Sequence, residues 1–333
     1  MPKFDQELLF LYSEQARRKI RDMALLLRKS PQRLKYSLAM LEKEKVLHNV
    51  HSIIDYSYFG LVLFKVYFKG GYISEKDKAD ILQKLSENPY VVSMYELSGE
   101  FDLAIELESP NPSRFNKELK KIANLHPTLS HYKVILNVVT HLYPRIYLIK
   151  DTSLIRDLPQ EIIVGGDREV QDFSAGELAV IKNLLYHPQA RLSTLAKQAN
   201  LHTKTVKSLL KSLEQKKVIK GCKYIINTDK LDIHKSRLFL TLHNLSKERE
   251  AKLMEFLLNT KEIVQLNKTV GDWDLEVDLE TLEKSRMRQL TIQLREEFKD
   301  LIETFNSMEF YEYFKKSYLP RYLFEQNTET KAL

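Results

Sequence analysis

The hexapeptide SGEFDL at 98–103 returns 172 positions later as VGDWDL at 270–275. At the same offset LEKEKVLHNVHSIID, from Leu41 to Asp55, lies over LEQKKVIKGCKYIIN, from Leu213 to Asn227. Ala24, Lys35 and Leu38 likewise fall on Ala196, Lys207 and Leu210. YPRIYL at 143–148 resembles LPRYLF at 319–324, where small insertions have widened the offset to 176. A long fixed period constrains a fold more than any local motif, because each period must be one structural unit. The chain therefore reads as two copies of a unit of about 150 residues, a comfortable size for a small domain pair. The segment 149–173 between them holds Pro159 and the pair Gly165-Gly166 and reads as a linker with a short strand at EIIV.

Each copy opens with three helices. In the second, Ser174 and Glu177 form a capping box, Leu178, Ile181, Leu184 and Leu185 follow helical spacing, and RLSTLAKQA gives a short helix. TKTVKSLLKSLEQKKV gives a longer one, with Val206, Leu209, Leu210 and Leu213 on one side. Ala196 stands where the two helices of a helix-turn-helix cross and only a small side chain fits, and Asn200 occupies the turn. The first copy repeats this with Ile20, Met23, Ala24 and Leu27, and Ser30-Pro31 starts its third helix. Its turn residue is Arg28, for which a left-handed backbone costs about 1 kcal/mol or more, so a reshaped turn is expected. KGCKYIIN then suits a short wing or a strand leading out of the module.

A strand, helix, strand, strand, helix, strand pattern follows in both copies. In the first it runs through LVLFKVYFK, SEKDKADILQKLSEN, YVVSMYEL, FDLAIELE, PSRFNKELKKIANL and HYKVILNVVTHL. In the second it runs through SRLFLTLHN, KEREAKLMEFLLN, EIVQLNKTV, WDLEVDLE, LEKSRMRQLTIQLREEFKDLI and SMEFYEYFKK. The expected fold class is α+β: two copies of a winged helix-turn-helix followed by a ferredoxin-like βαββαβ domain, with the repeated hexapeptides as the hairpins joining its second and third strands. The expected boundaries are 1–55 and 56–148 for the first copy, 149–173 for the linker, 174–228 and 229–324 for the second copy, and 325–333 for a tail.

With 333 residues and 43% hydrophobic content, several cores are the default. No apolar run approaches the ~18 residues of a membrane span, and MPKFDQELLF lacks a secretory pattern, so a cytoplasmic protein with no membrane partner is expected. The lone Cys222 can form no internal disulfide and fits a reducing compartment. The 52 Lys plus Arg against 45 Asp plus Glu permit a polyanionic partner without demanding one. His48 with His51, and His126 with His131, lack a third ligand at metal spacing, so no metal and no cofactor are expected. No phosphate-cradling Gly loop and no nucleophile elbow is present, and the chain is not expected to be an enzyme.

LAKQANLHTKTVKSLLKSLEQKKVI, its partner MALLLRKSPQRLKYSLAMLEKEKVL, and the turns GEFD and GDWD together resemble the Lrp/AsnC family of transcription regulators over nearly the whole chain, twice. The resemblance implies DNA binding through the helix-turn-helix, pairing of the ferredoxin-like (RAM) sheets, and in many members an amino-acid effector. The family's usual glycines in the turn and before the apolar pair closing the module are replaced by Arg28 and Asn200, and by Lys45 and Lys217.

The first turns of a recognition helix enter the major groove. The candidate double-stranded DNA contacts are therefore Ser30, Gln32, Arg33, Lys35 and Tyr36 in the first copy, flanked by Arg17, Arg18, Lys19 and Arg21. In the second they are His202, Thr203, Lys204, Thr205, Lys207, Ser208 and Lys211. Gly99, Asp102, Gly271 and Asp274 suit a tight hairpin on their own account, with Phe101 and Trp273 as packing residues, and are the effector contacts the resemblance implies. The leading expectation is a sequence-specific regulator acting as a covalent pseudo-dimer with two unlike recognition helices, with further pairing between chains. Two alternatives stand beside it. Siroheme decarboxylases of heme biosynthesis resemble the same architecture, although their His-Cys-Tyr segment is absent and HLYPR at 141–145 is a faint echo. A sheet-based scaffold that has lost DNA is the other.

Overall fold

The computed structural model describes residues 4–69, 74–243 and 246–325. The last residues of the expected tail, from 326, lie outside them, as does the end of the strand expected at SRLFLTLHN. The first copy contains α1 (Gln6–Glu14), α2 (Ile20–Leu26), α3 (Pro31–Lys43) and β1 (Leu47–Ile54). Its ferredoxin-like half is β2 (Val62–Phe68), α4 (Glu75–Glu87), β3 (Val91–Ser98), β4 (Leu103–Ser109), α5 (Pro112–Ala123) and β5 (Tyr132–Leu142). The linker carries β6 (Ile162–Gly165). The second copy repeats the order with α6 (Ala175–Tyr186), α7 (Leu192–Gln198), α8 (Thr203–Gln215) and β7 (Ile219–Ile226). There follow β8 (His234–Leu242), α9 (Lys247–Asn259), β9 (Ile263–Val270), β10 (Leu275–Thr281), α10 (Lys284–Glu297) and β11 (Ile302–Lys316).

Local signals act where the sequence placed them. The Ser174–Glu177 capping box forms, and Ser30 accepts from Arg33 N with Pro31 in the first turn. The Arg28 turn is not reshaped: its φ is 51°, against 54° at Asn200. Lys29 N donates to Ala24 O at 3.0 Å and Leu201 N to Ala196 O at 2.9 Å, so both turns close with the same backbone bond. Lys45 and Lys217, at φ 53° and 59°, are left-handed for the same reason, each followed by an N–H bonded back to Leu41 O or Leu213 O. Tertiary packing overrides a local cost of about 1 kcal/mol at each.

The strand after each helix-turn-helix does not fold back on its own copy. Instead β1 and β7 pair antiparallel with one another, Leu47 opposite Ile226 and Ser52 opposite Cys222. Cys222, Tyr224 and Ile226 complete the core of the first helix-turn-helix with Leu8, Met23 and Leu34. Ile53 and Ile54 complete the second with Val180, Leu195 and Val206.

The two ferredoxin-like halves close on each other. The antiparallel order β2-β4-β3-β11-β8-β10-β9-β5 returns to β2, which pairs with both β4 and β5. The result is an eight-stranded barrel with β6 appended to β5. Two strands bridge the copies. β5 pairs with β2 through Leu63 to Phe68 and with β9 from Leu136 onward, while β11 pairs with β8 up to Glu309 and with β3 from there. Bridging requires length, which is why β11 begins at Ile302 rather than at the expected 307. Correspondingly, α10 ends at Glu297 rather than 302, where Leu301 N and Ile302 N turn back to Phe298 O.

The helices cover the outer face of each half over apolar clusters, Phe64, Ile81, Leu85 and Ile105 in one and Leu240, Leu253, Val277 and Leu290 in the other. The inside of the barrel is charged, with Lys65, Glu106, Arg237, Glu276 and Asp278 all buried. Arg237 holds Asp278 bidentately at 2.6 and 2.9 Å and reaches Tyr95 Oη at 2.6 Å. Glu276 gathers Lys65, Tyr67, Asn267 and the indole N–H of Trp273 at 2.5 to 3.0 Å. Burial alone would raise the carboxyls of Glu276 and Asp278, but Lys65 and Arg237 hold the first below the usual range and Arg237 the second.

A cationic cleft between the two copies

Where β1 and β7 meet the linker, the chain leaves an open cleft of about 710 Å³. Its floor is apolar: Leu142, Leu158, Ile162, Leu184, Leu210 and Ile219. Its charged side chains are Arg17 and Arg18 from the turn between α1 and α2, Arg168 from the linker, Lys217 after α8, and Lys220 and Lys223 on β7, against Glu14, Glu161 and Glu214. Both copies and the linker thus contribute to one site.

Several of these cations are held in place. Lys220 lies 2.7 Å from Asp55, Lys223 lies 2.5 Å from Glu14, and Arg18 spans Gln15 and Asp157 at 2.8 Å each. Arg17 donates to Pro188 O at 2.6 Å. Arg168 and Lys217 have no ion-pair partner among the described residues and are exposed at the rim. At the far wall a Glu161 carboxylate oxygen and His141 Nδ1 are hydrogen-bonded at 2.7 Å. Nε2 of that imidazole is covered and has no hydrogen-bond partner among the described residues. Cys222 also lines the cleft, and burial pushes its thiol up to about 12, so it stays protonated and unreactive near neutrality.

The candidate DNA contacts are elsewhere. Ser30, Gln32, Arg33, Lys35 and Tyr36 are exposed at the start of α3, as are His202, Thr203, Lys204, Thr205, Lys207, Ser208 and Lys211 on α8. The four effector candidates sit in the hairpins and do not line the cleft. Gly99 and Gly271 have φ of 147° and 151°, and Asp274 accepts from Leu242 N at 2.7 Å, which is the turn-holding role of a hairpin aspartate. Phe101 and Trp273 are buried together in the barrel. Reading the sequence one motif at a time missed Glu161, Arg168, Lys217 and the β7 lysines, because they converge only when the two copies and the linker pack.

No family model matches the sequence, and no curated protein does. Among solved structures, the chain is similar to the siroheme decarboxylase NirDL, with a TM-score of 0.55 at 12% identity, covering 95% of this chain and 93% of that one. The same protein in complex with an iron-uroporphyrin III analogue gives a TM-score of 0.54 at 12% identity over the same shares. E. coli AsnC covers 42% of this chain and 92% of its own, at 14% identity and a TM-score of 0.35. Nearly the whole chain shares the fold of NirDL, with two helix-turn-helix plus ferredoxin-like units in one chain. That comparison overturns the expectation that the chain is not an enzyme, since the fold shared along its whole length is carried by one. The sequence motifs pointed to a fold, and a fold does not settle whether its carrier is an enzyme. Among the described residues, no helix is long and apolar enough to cross a membrane, and no group of three or more His, Cys, Asp or Glu could hold a metal.

Proposed function

We propose that this chain acts on an iron tetrapyrrole carrying peripheral carboxylates, as a siroheme-decarboxylase-like enzyme. The observation that carries the reading is the cleft: an apolar floor in a volume of about 710 Å³, lined by six cationic side chains, of which Arg168 and Lys217 have no ion-pair partner among the described residues. A flat conjugated ring with a carboxylated edge needs that combination, apolar area for the face and Arg or Lys for the edge. The full-length likeness to NirDL, whose structure holds an iron-uroporphyrin III analogue, supports it.

In such a reaction a side-chain carboxylate leaves as carbon dioxide, the electron pair of the broken C–C bond passes into the conjugated ring, and a proton replaces the carboxyl. Arg168 and Lys217, free at the rim, hold the carboxylates that stay. The proton is assigned to Glu161, which delivers it into the cleft and is reprotonated from solvent, while His141 Nδ1 positions its carboxyl. The apolar floor favours loss of charge from the reacting carboxylate.

An absorbance titration with iron uroporphyrin should show saturable binding, and incubation with siroheme should give products lighter by whole carbon dioxide units in mass spectra. Glu161→Gln should keep the affinity and slow turnover by about 10²-fold or more. Absence of any spectral change would remove the reading.

A second reading, DNA binding by two unlike recognition helices within one chain, is supported by the exposure of every candidate contact on α3 and α8. Its possible small effector is then the cleft ligand rather than a hairpin ligand.

A further inference from the structure

We infer that the chain carries one working cleft, not two, because the position related to it by the internal repeat is filled by a pair of tyrosines and keeps only Lys45 where the cleft has a row of cations. The inference rests on the cleft reading above and deepens it to a stoichiometry.

The 172-residue offset relates the two helix-turn-helix modules element by element: α2, α3 and β1 map onto α7, α8 and β7 with identical lengths. The relation extends to single bonds. Arg17 donates to Pro188 O at 2.6 Å, and its counterpart Gln189 donates to Ala16 O, the counterpart of Pro188, at 2.9 Å. Each strand packs on the first helix of the other copy, so the fold offers two equivalent places for a cleft.

At the open place Ser52 of β1 faces α6, its hydroxyl donating to Leu184 O at 3.0 Å, and both residues line the cleft. Their counterparts are Tyr224 and Tyr12. These two rings pack against each other, tilted by 33° with centroids 5.1 Å apart, their hydroxyls lie 3.3 Å apart, and Gln189 caps Tyr224 at 2.7 Å. Two phenol rings occupy what a hydroxymethyl and an isobutyl group leave empty. Charge follows the same division. Arg18, Lys220 and Lys223 of the cleft correspond to Ala190, His48 and His51. His51 is buried, and burial together with Lys316, Lys223 and Arg145 pushes it down to about 3, so it is neutral. The second place offers no room to a polycarboxylate, and of the cleft's five paired cationic positions it keeps a cation only at Lys45.

The test is a titration of the full chain with iron uroporphyrin, read by absorbance and by calorimetry. One equivalent per chain is expected. Ser52→Tyr copies the plug into the open cleft and should weaken binding at least tenfold while the melting temperature and circular dichroism hold. Should that variant not fold, the symmetry mates Lys217 and Lys45 decide: Lys217→Ala should weaken binding at least threefold and Lys45→Ala should leave it unchanged. Two equivalents in the wild type, a folded Ser52→Tyr variant that binds normally, or equal losses at Lys217 and Lys45 would each overturn the inference alone. Absence of binding to the wild type would sink the cleft reading and this inference with it.

Discussion

Lys65 of the first copy lies 2.5 Å from Glu276 of the second, and both are wholly buried inside the barrel. Burial lowers the Lys65 ammonium, and Glu276 and Glu106 oppose that shift. The counterpart of Glu276 in the first copy is Ala104, so the bond has no symmetry mate. Glu276→Ala would leave Lys65 with only Glu106, 3.9 Å away, and take an acceptor from Tyr67 and Trp273. A loss of about 3–5 kcal/mol is expected in urea unfolding, whereas Lys65→Met/Glu276→Leu should recover most of it. Trp273 emission should shift to the red in the single variant.

His51 sets part of the acid limb of stability. Its folded pKa, about 3, is below the ordinary value near 6.5 that it regains on unfolding. Above pH 6.5 it costs nothing in either state. As pH falls from 6.5 toward 3 only the unfolded chain takes up the proton, so stability is lost through that window. His51→Gln should flatten the fall between pH 6.5 and 5 in a series of denaturant melts. An unchanged slope would assign the acid limb to other groups.

Lys45 follows α3 with φ of 53°, a conformation that glycine adopts freely. Lys45→Gly should raise stability by about 0.5–1 kcal/mol, visible as a higher urea midpoint at constant slope. A fall would mean that the lysine side chain contributes more than its backbone costs.

Lys204 and Lys207 are exposed on α8. If α8 docks on DNA, Lys204→Ala/Lys207→Ala should weaken binding and reduce the salt slope, d log K/d log[salt], by about 2. Equal affinity and slope in a fluorescence titration over several salt concentrations would take α8 out of any DNA interface.

The sequence by itself determined the repeat, and with it almost everything local. Apolar spacing placed the helices, Ser174–Glu177 and Ser30-Pro31 capped two of them, and Gly99 and Gly271 marked the hairpins. These are short-range effects: a cap, a turn or an amphipathic face depends on residues a few positions apart. The left-handed Arg28 and the ends of α10 and β11 went the other way, because packing against the other copy outweighed a local preference of about 1 kcal/mol. Only the tertiary structure decided that β1 and β7 exchange partners, that the barrel closes over Lys65 and Glu276, and that Arg17, Glu161, Arg168 and Lys217 meet around one cleft. Those contacts join residues separated by as many as 211 positions, and no periodicity encodes them. The offset of 172 nonetheless held one clue to the site. Tyr12 and Tyr224 stand where Leu184 and Ser52 do, a difference that becomes a filled or an empty cleft only once α1 packs on β7 and α6 on β1.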